Sequence, residues 1–214
     1  MSTPICDIMR RAVLVAACLA LAACDAAGLQ GLGRGVKPAP SQIAVTTDRI
    51  VVTGPTGFCV DPTTVRDTAD TGFVLLGNCA AIANSRSAGQ PTTPAVLTAT
   101  ISEPSTGGRI SDTIAELDSL FRSDEGRRLL SRSGEPSSIV ILETIRSPRV
   151  FLLHAADQGA GAMQDVQPDY WRAYLDVGPR LVTLSVLSTK DRSLSREESL
   201  SLLRSFVQAV QGAN

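Results

Sequence analysis

The chain has 214 residues, 43% of them hydrophobic and 19% charged, with a formal net charge of −1. That apolar fraction excludes a disordered chain, and the near-neutral balance offers neither a basic surface for nucleic acid nor an acidic tail. The length suits one domain with its own core.

Taken from the start, Met1 to Arg11 ends in the pair Arg10-Arg11, an apolar run follows from Ala12 to Ala23, and small residues lead into Cys24. This is the layout of an export signal, and the run is shorter than the roughly 20 apolar residues that span a bilayer. The end of the run, Leu21-Ala22-Ala23-Cys24, resembles the lipobox of bacterial lipoproteins. The resemblance implies a signal peptide over 1–23, cleavage before Cys24, diacylglyceryl transfer to the Cys24 thiol, and acylation of the new N terminus with a chain such as palmitate. It implies a bacterial cell-envelope location, with the protein lipid-anchored through Cys24 and facing the periplasm; two or more chains make such attachment stable. In enterobacterial lipoproteins an aspartate at the place of Asp25 looks like an inner-membrane retention signal, but the rule is not general and both membranes stay open.

Of the five cysteines, Cys6 and Cys18 leave with the signal and Cys24 carries lipid, so Cys59 and Cys79 remain. An oxidising periplasm would join them as a disulfide bond, closing a loop of about 20 residues. A metal pair or a redox couple is the other use, but neither lies in a C-x-x-C and a metal would need further ligands.

Residues 24–41 have no apolar period and read as a flexible tether. Gly28, Gly31, Gly33 and Gly35 do not make a phosphate loop, because the G-K-[ST] ending and a preceding strand are missing. The single domain then runs over 42–213. Strands are expected near Ile43–Thr53, Phe73–Leu76, Val96–Ser102, Ser138–Arg146, Arg149–Ala155, Tyr170–Val177 and Arg180–Ser188, with hairpin turns at Ser147-Pro148 and Gly178-Pro179. Asp61-Pro62 predicts the start of a short helix. Further helices are expected near Ser111–Ser123, Asp124–Ser131 and Ser195–Gln211, the last opened by a Ser195/Glu198 capping box.

This order predicts an α+β fold: an antiparallel sheet meander covered by helices, with the C-terminal helix packing on the sheet. It is similar in element order to the PsbP/Mog1-like architecture, whose helix-flanked antiparallel sheet serves as a docking or assembly module. That resemblance rests on no motif and carries no site residues.

Catalytic groups are sparse. After the signal there is one histidine, His154, so a multi-histidine metal site within one copy is excluded and no metal or cofactor is expected. His154 could serve an envelope hydrolase with Asp157 and a serine, but no G-x-S-x-G elbow is present and a half-buried histidine beside Val150 and Leu152 is favoured. Lys37 and Lys190 are poorly placed for a serine-lysine dyad. Glu197 and Glu198 suit the positive end of a helix, and Arg122, Arg127, Arg128 and Arg132 read as a solvated face interleaved with Asp124 and Glu125. In Tyr170-Trp171-Arg172-Ala173-Tyr174, alternation turns Trp171 and Ala173 toward a core and Tyr170, Arg172 and Tyr174 to the other face. Two tyrosines and an arginine have hot-spot composition, and they form the candidate binding surface. The expectation is a non-enzymatic envelope binding or assembly domain, with an envelope protein or small ligand as partner and no catalytic residues.

Overall fold

A computed structural model describes residues 39–106, 108–159 and 165–214. The signal peptide, Cys24, Asp25 and the tether as far as Pro38 lie outside the described residues. Among those described, the elements run β1 (Gln42–Val45), β2 (Ile50–Thr53), β3 (Phe58–Val60), β4 (Arg66–Asp67), β5 (Gly72–Asn78) and α1 (Cys79–Ile82). Then follow β6 (Val96–Pro104), α2 (Ile114–Arg122), α3 (Asp124–Leu130), β7 (Ile139–Ser147), β8 (Val150–Asp157), β9 (Val166–Val177), β10 (Arg180–Thr189) and α4 (Arg196–Gly212). The fold is α+β. An eight-stranded antiparallel sheet has the order β3-β5-β6-β10-β9-β8-β7, with β4 paired to β5, and β1 and β2 form a separate hairpin.

The meander β7 to β10 arises from two tight turns. Ser147 pairs with Val150 around Pro148-Arg149, and Val177 pairs with Arg180 around Gly178-Pro179. Gly178 has φ 58°, the conformation a primed hairpin turn needs at its first central residue.

One face of the sheet is sealed by α4. Ser195 accepts from the Glu198 amide while the Glu198 carboxylate accepts from the Ser195 amide, so the expected capping box starts this helix. Leu203, Phe206 and Val210 then point inward, all fully buried, over Leu97, Leu184, Leu175 and Trp171. On the other face α2 and α3 lie over β7 and β8, where Ile114, Leu117 and Phe121 pack on Phe151, Leu153 and Tyr174. Both cores are drawn wholly from the described residues, within the compact unit Lys37–Asn214.

Two expectations are corrected, and three short elements come without one. The single strand over Ile43–Thr53 is a hairpin, because Thr46 and Arg49 adopt positive φ and reverse the chain between β1 and β2. No helix starts at Asp61-Pro62; the Asp61 carboxylate instead accepts from the amide and hydroxyl of Thr63, an Asx-type turn that competes with helix initiation. The short strands β3 and β4 and the one-turn helix α1 carry too few residues to show a period.

Arg180, 1% exposed, ties these pieces together. Its guanidinium donates to Asp48 in the β1–β2 turn, to the Ala69 and Asp70 carbonyls before β5, and to the Ser102 carbonyl of β6. A buried cation is tolerated because its donors are met.

Cys59 and Cys79 are disulfide-bonded, with Cα atoms 4.8 Å apart, and both are buried. The bond ties β3 to the start of α1 across 20 residues of sequence. Closing a loop of that length stabilises by about 3 kcal/mol in the chain-entropy model. Replacing both cysteines by alanine should therefore lower the unfolding free energy by about 3 kcal/mol. Urea unfolding of the double variant, and of the parent with and without reductant, checks this; equal midpoints would show that the bond does not constrain the unfolded chain.

Candidate functional site

The second face of the sheet carries two cross-strand rows that follow from register alone. Arg172 of β9 pairs with Ser185 of β10, Ser185 with Thr98 of β6, and Thr98 with Leu75 of β5. One pleat along, Tyr174 pairs with Thr183, Thr183 with Thr100, and Thr100 with Phe73. Because α2 and α3 sit over β7 and β8, these rows run out beneath the helices as the floor of a groove of about 560 Å³. Leu117, Leu120, Phe121, Leu129 and Leu130 form its wall, and Arg132 is also on the lining. Leu120 and Leu129 are 38% and 71% exposed, an apolar lip facing water. The volume lies within the range of small-molecule pockets, roughly 300–1,000 Å³.

The three residues singled out from sequence are thus brought together in the groove. Tyr174 is held by the Phe121 ring at 4.9 Å, and Arg172 lies over the Tyr170 ring at 4.8 Å from its centroid. Arg172 Nε donates to the Ser185 hydroxyl at 3.2 Å, and the guanidinium lies beside the Tyr174 hydroxyl. Burial works against its charge, and the tyrosine oxygens beside it offset that, so Arg172 stays a cation. Burial pushes both tyrosine hydroxyls above their ordinary range, so they remain neutral donors. Among the described residues no carboxylate pairs with Arg172, and the Tyr170 hydroxyl, buried, has no hydrogen-bond partner.

His154 is on the opposite face. It stacks on its cross-strand neighbour Trp171 at 4.7 Å and 7° between planes, and its Nε2 is 3.5 Å from Asp169. Asp157, three residues on and past the end of the expected strand Arg149–Ala155, ends β8 on the groove face, since an odd separation along a strand reverses the side. Its carboxylate accepts from the Arg132 amide, the Gly159 amide and the Ser138 hydroxyl, all at 3.0 Å. The arrangement does not bring His154 and Asp157 together, and among the described residues no serine hydroxyl hydrogen-bonds to the histidine.

Sequence reasoning missed the threonines, Ser185 and the helical lip. Thr183 and Ser185 read only as the wetter side of β10, and nothing local tells that helices stop short of them. A wider depression of about 840 Å³ lies between loops and the solvent side of α4, lined by Glu197, Glu198, Ser201 and Ser205, and lacks such a wall. Among the described residues no helix is long and apolar enough to cross a membrane, and no group of three metal-ligating side chains occurs. Comparison with protein-family models, with curated proteins and with solved structures finds no match.

Asp157 fixes the chain that carries Arg132 to the groove. Burial pushes its carboxyl up, but the three donors outweigh burial and hold it below the ordinary range. A depressed folded pKa contributes stability that is present above the unfolded value, about 3.9, and is lost as pH falls through the lower folded one. Asp157→Asn should cost about 1–3 kcal/mol at pH 7, with the deficit shrinking on acidification below pH about 4. Urea unfolding of both proteins at pH 7 and pH 3 measures it; an unchanged deficit would mean that the carboxylate charge is not what the site holds.

Proposed function

We propose that the chain is a membrane-anchored bacterial envelope lipoprotein whose single domain binds rather than catalyses, with the groove between β5, β6, β10, β9 and α2/α3 as its binding site. The observation that carries the binding role is the groove itself: an apolar wall, a polar floor and Arg172 left without a carboxylate. Specific sites combine mostly apolar lining with a few convergent polar groups, and this one does. The anchor rests on Leu21-Ala22-Ala23-Cys24, and the buried Cys59–Cys79 disulfide fits an oxidising compartment. Element order similar to the PsbP/Mog1-like modules supports the same non-enzymatic role.

Two measurements check the two parts. Intact mass of protein extracted from membranes of a bacterial host should show loss of residues before Cys24 and a gain of acyl chains; a soluble, unacylated product would remove the anchor. The neutral dye Nile red should bind the domain one-to-one, and Thr183→Trp, which fills the floor, should abolish that binding. Dye binding indifferent to Thr183→Trp, or no binding, would remove the groove as the site.

A further inference from the structure

We infer that the groove takes a single-chain fatty acid, with its carboxylate on Arg172 and its acyl chain along the floor toward β5. The inference rests on the groove being the binding site and adds the chemistry of its ligand.

The head group follows from donors. A guanidinium has five N–H donors. Arg172 uses one on Ser185, and even with a second given to the neighbouring Tyr174 hydroxyl three remain without a protein acceptor among the described residues. A carboxylate brings two oxygens in one plane, which suits paired N–H donors, and supplies the negative charge that no side chain of the lining provides. The only other charge on the lining is a second cation, Arg132, so the site is electrostatically complementary to an anion. Arg132 is within electrostatic reach of Asp157, and its charge is partly spoken for; Arg172 has no such neighbour.

The tail follows from the lining and its extent. From β9 to β5 the floor crosses three interstrand steps, about 14 Å at about 4.8 Å each. The path crosses Ser185 and Thr98 to reach Leu75, and the apolar share of the same lining, with Phe73, Leu181, Leu117, Leu120 and Leu129, is what an acyl chain would cover. The volume of about 560 Å³ suits one small amphiphile rather than a two-chain phospholipid.

The test uses residues 24–214 with Cys24→Ser, which contain every core residue and the disulfide. Decanoate, 1-decanol and decyl phosphate, each below its micelle concentration, compete for bound Nile red. Decanoate should displace the dye at a concentration about tenfold or more below that of 1-decanol, since a charge-assisted bond to Arg172 is lost with the alcohol. Arg172→Gln should weaken decanoate about 10- to 100-fold and bring it to the potency of 1-decanol measured on the same variant. Should that variant not fold, the decanoate-to-decanol ratio on the parent decides alone. Equal potency of acid and alcohol overturns the assignment while leaving the groove as an apolar site. Decyl phosphate outcompeting decanoate tenfold overturns the carboxylate head. If Nile red itself does not bind, the groove reading falls together with its ligand.

Discussion

Seven strands side by side make the main sheet about 29 Å wide, taking six spacings of about 4.8 Å. Its first face carries the 17-residue helix α4 over β9 and β10, with the β1–β2 hairpin in the same core. Its second face has only α2 and α3, of nine and seven residues. They lie at the β7–β8 end, and the strip over β5, β6 and β10 is left to water and to whatever binds there. Every feature of the candidate site follows from this shortfall: the exposed lip of Leu120 and Leu129, the threonines on the floor, and an arginine at the boundary between covered and uncovered sheet.

A sheet this wide also has to hold together two halves of different origin in the chain. The meander β7 to β10 is local, built from tight turns, whereas β3 to β6 precede both helices and join it only through the β6–β10 ladder. Arg180 reinforces that junction from beneath, reaching carbonyls and a carboxylate separated from it by 78 to 132 residues. The disulfide does the same for the opposite edge, where β3 and α1 are too short to persist by pairing alone. The strands under the groove are therefore tied by a covalent bond at the β3 edge and by a buried cation at the β6–β10 junction, so the floor is held in register.

Period and turn chemistry made the long elements legible. β5 to β10 and α2 to α4 stand within a few residues of where alternation, helical spacing and caps put them, and the assignment of Trp171 to the core and Tyr170, Arg172 and Tyr174 to the other face needed only the two-residue repeat of a strand. What stayed hidden was of two kinds. Short elements such as β3, β4 and α1 hold too few residues to express any period, and the β1–β2 reversal uses positive φ at Thr46 and Arg49, residues with no turn signature. The groove was hidden for a different reason: its existence depends on how far α2 and α3 reach across the sheet, a distance set by tertiary packing. The strand expected over Arg149–Ala155 stops short of Asp157; because β8 runs on to Asp157, the same two-residue repeat puts that residue on the face opposite His154.

Arg172 is the residue that packing does not require. Its neighbours on β9 and β8, Tyr174, Phe151 and Leu153, are buried apolar or aromatic groups, and leucine in its place would extend that surface across the floor. A partly buried charge without a counter-ion is a cost to folding, offset here only in part by the Tyr170 ring and the hydroxyls of Ser185 and Tyr174. Arg180 shows how this chain treats a cation that serves structure alone: every direction around it ends in an oxygen, one of them a carboxylate. Arg172 differs from it in having free donors and an open side, and both face the groove that the helices leave uncovered.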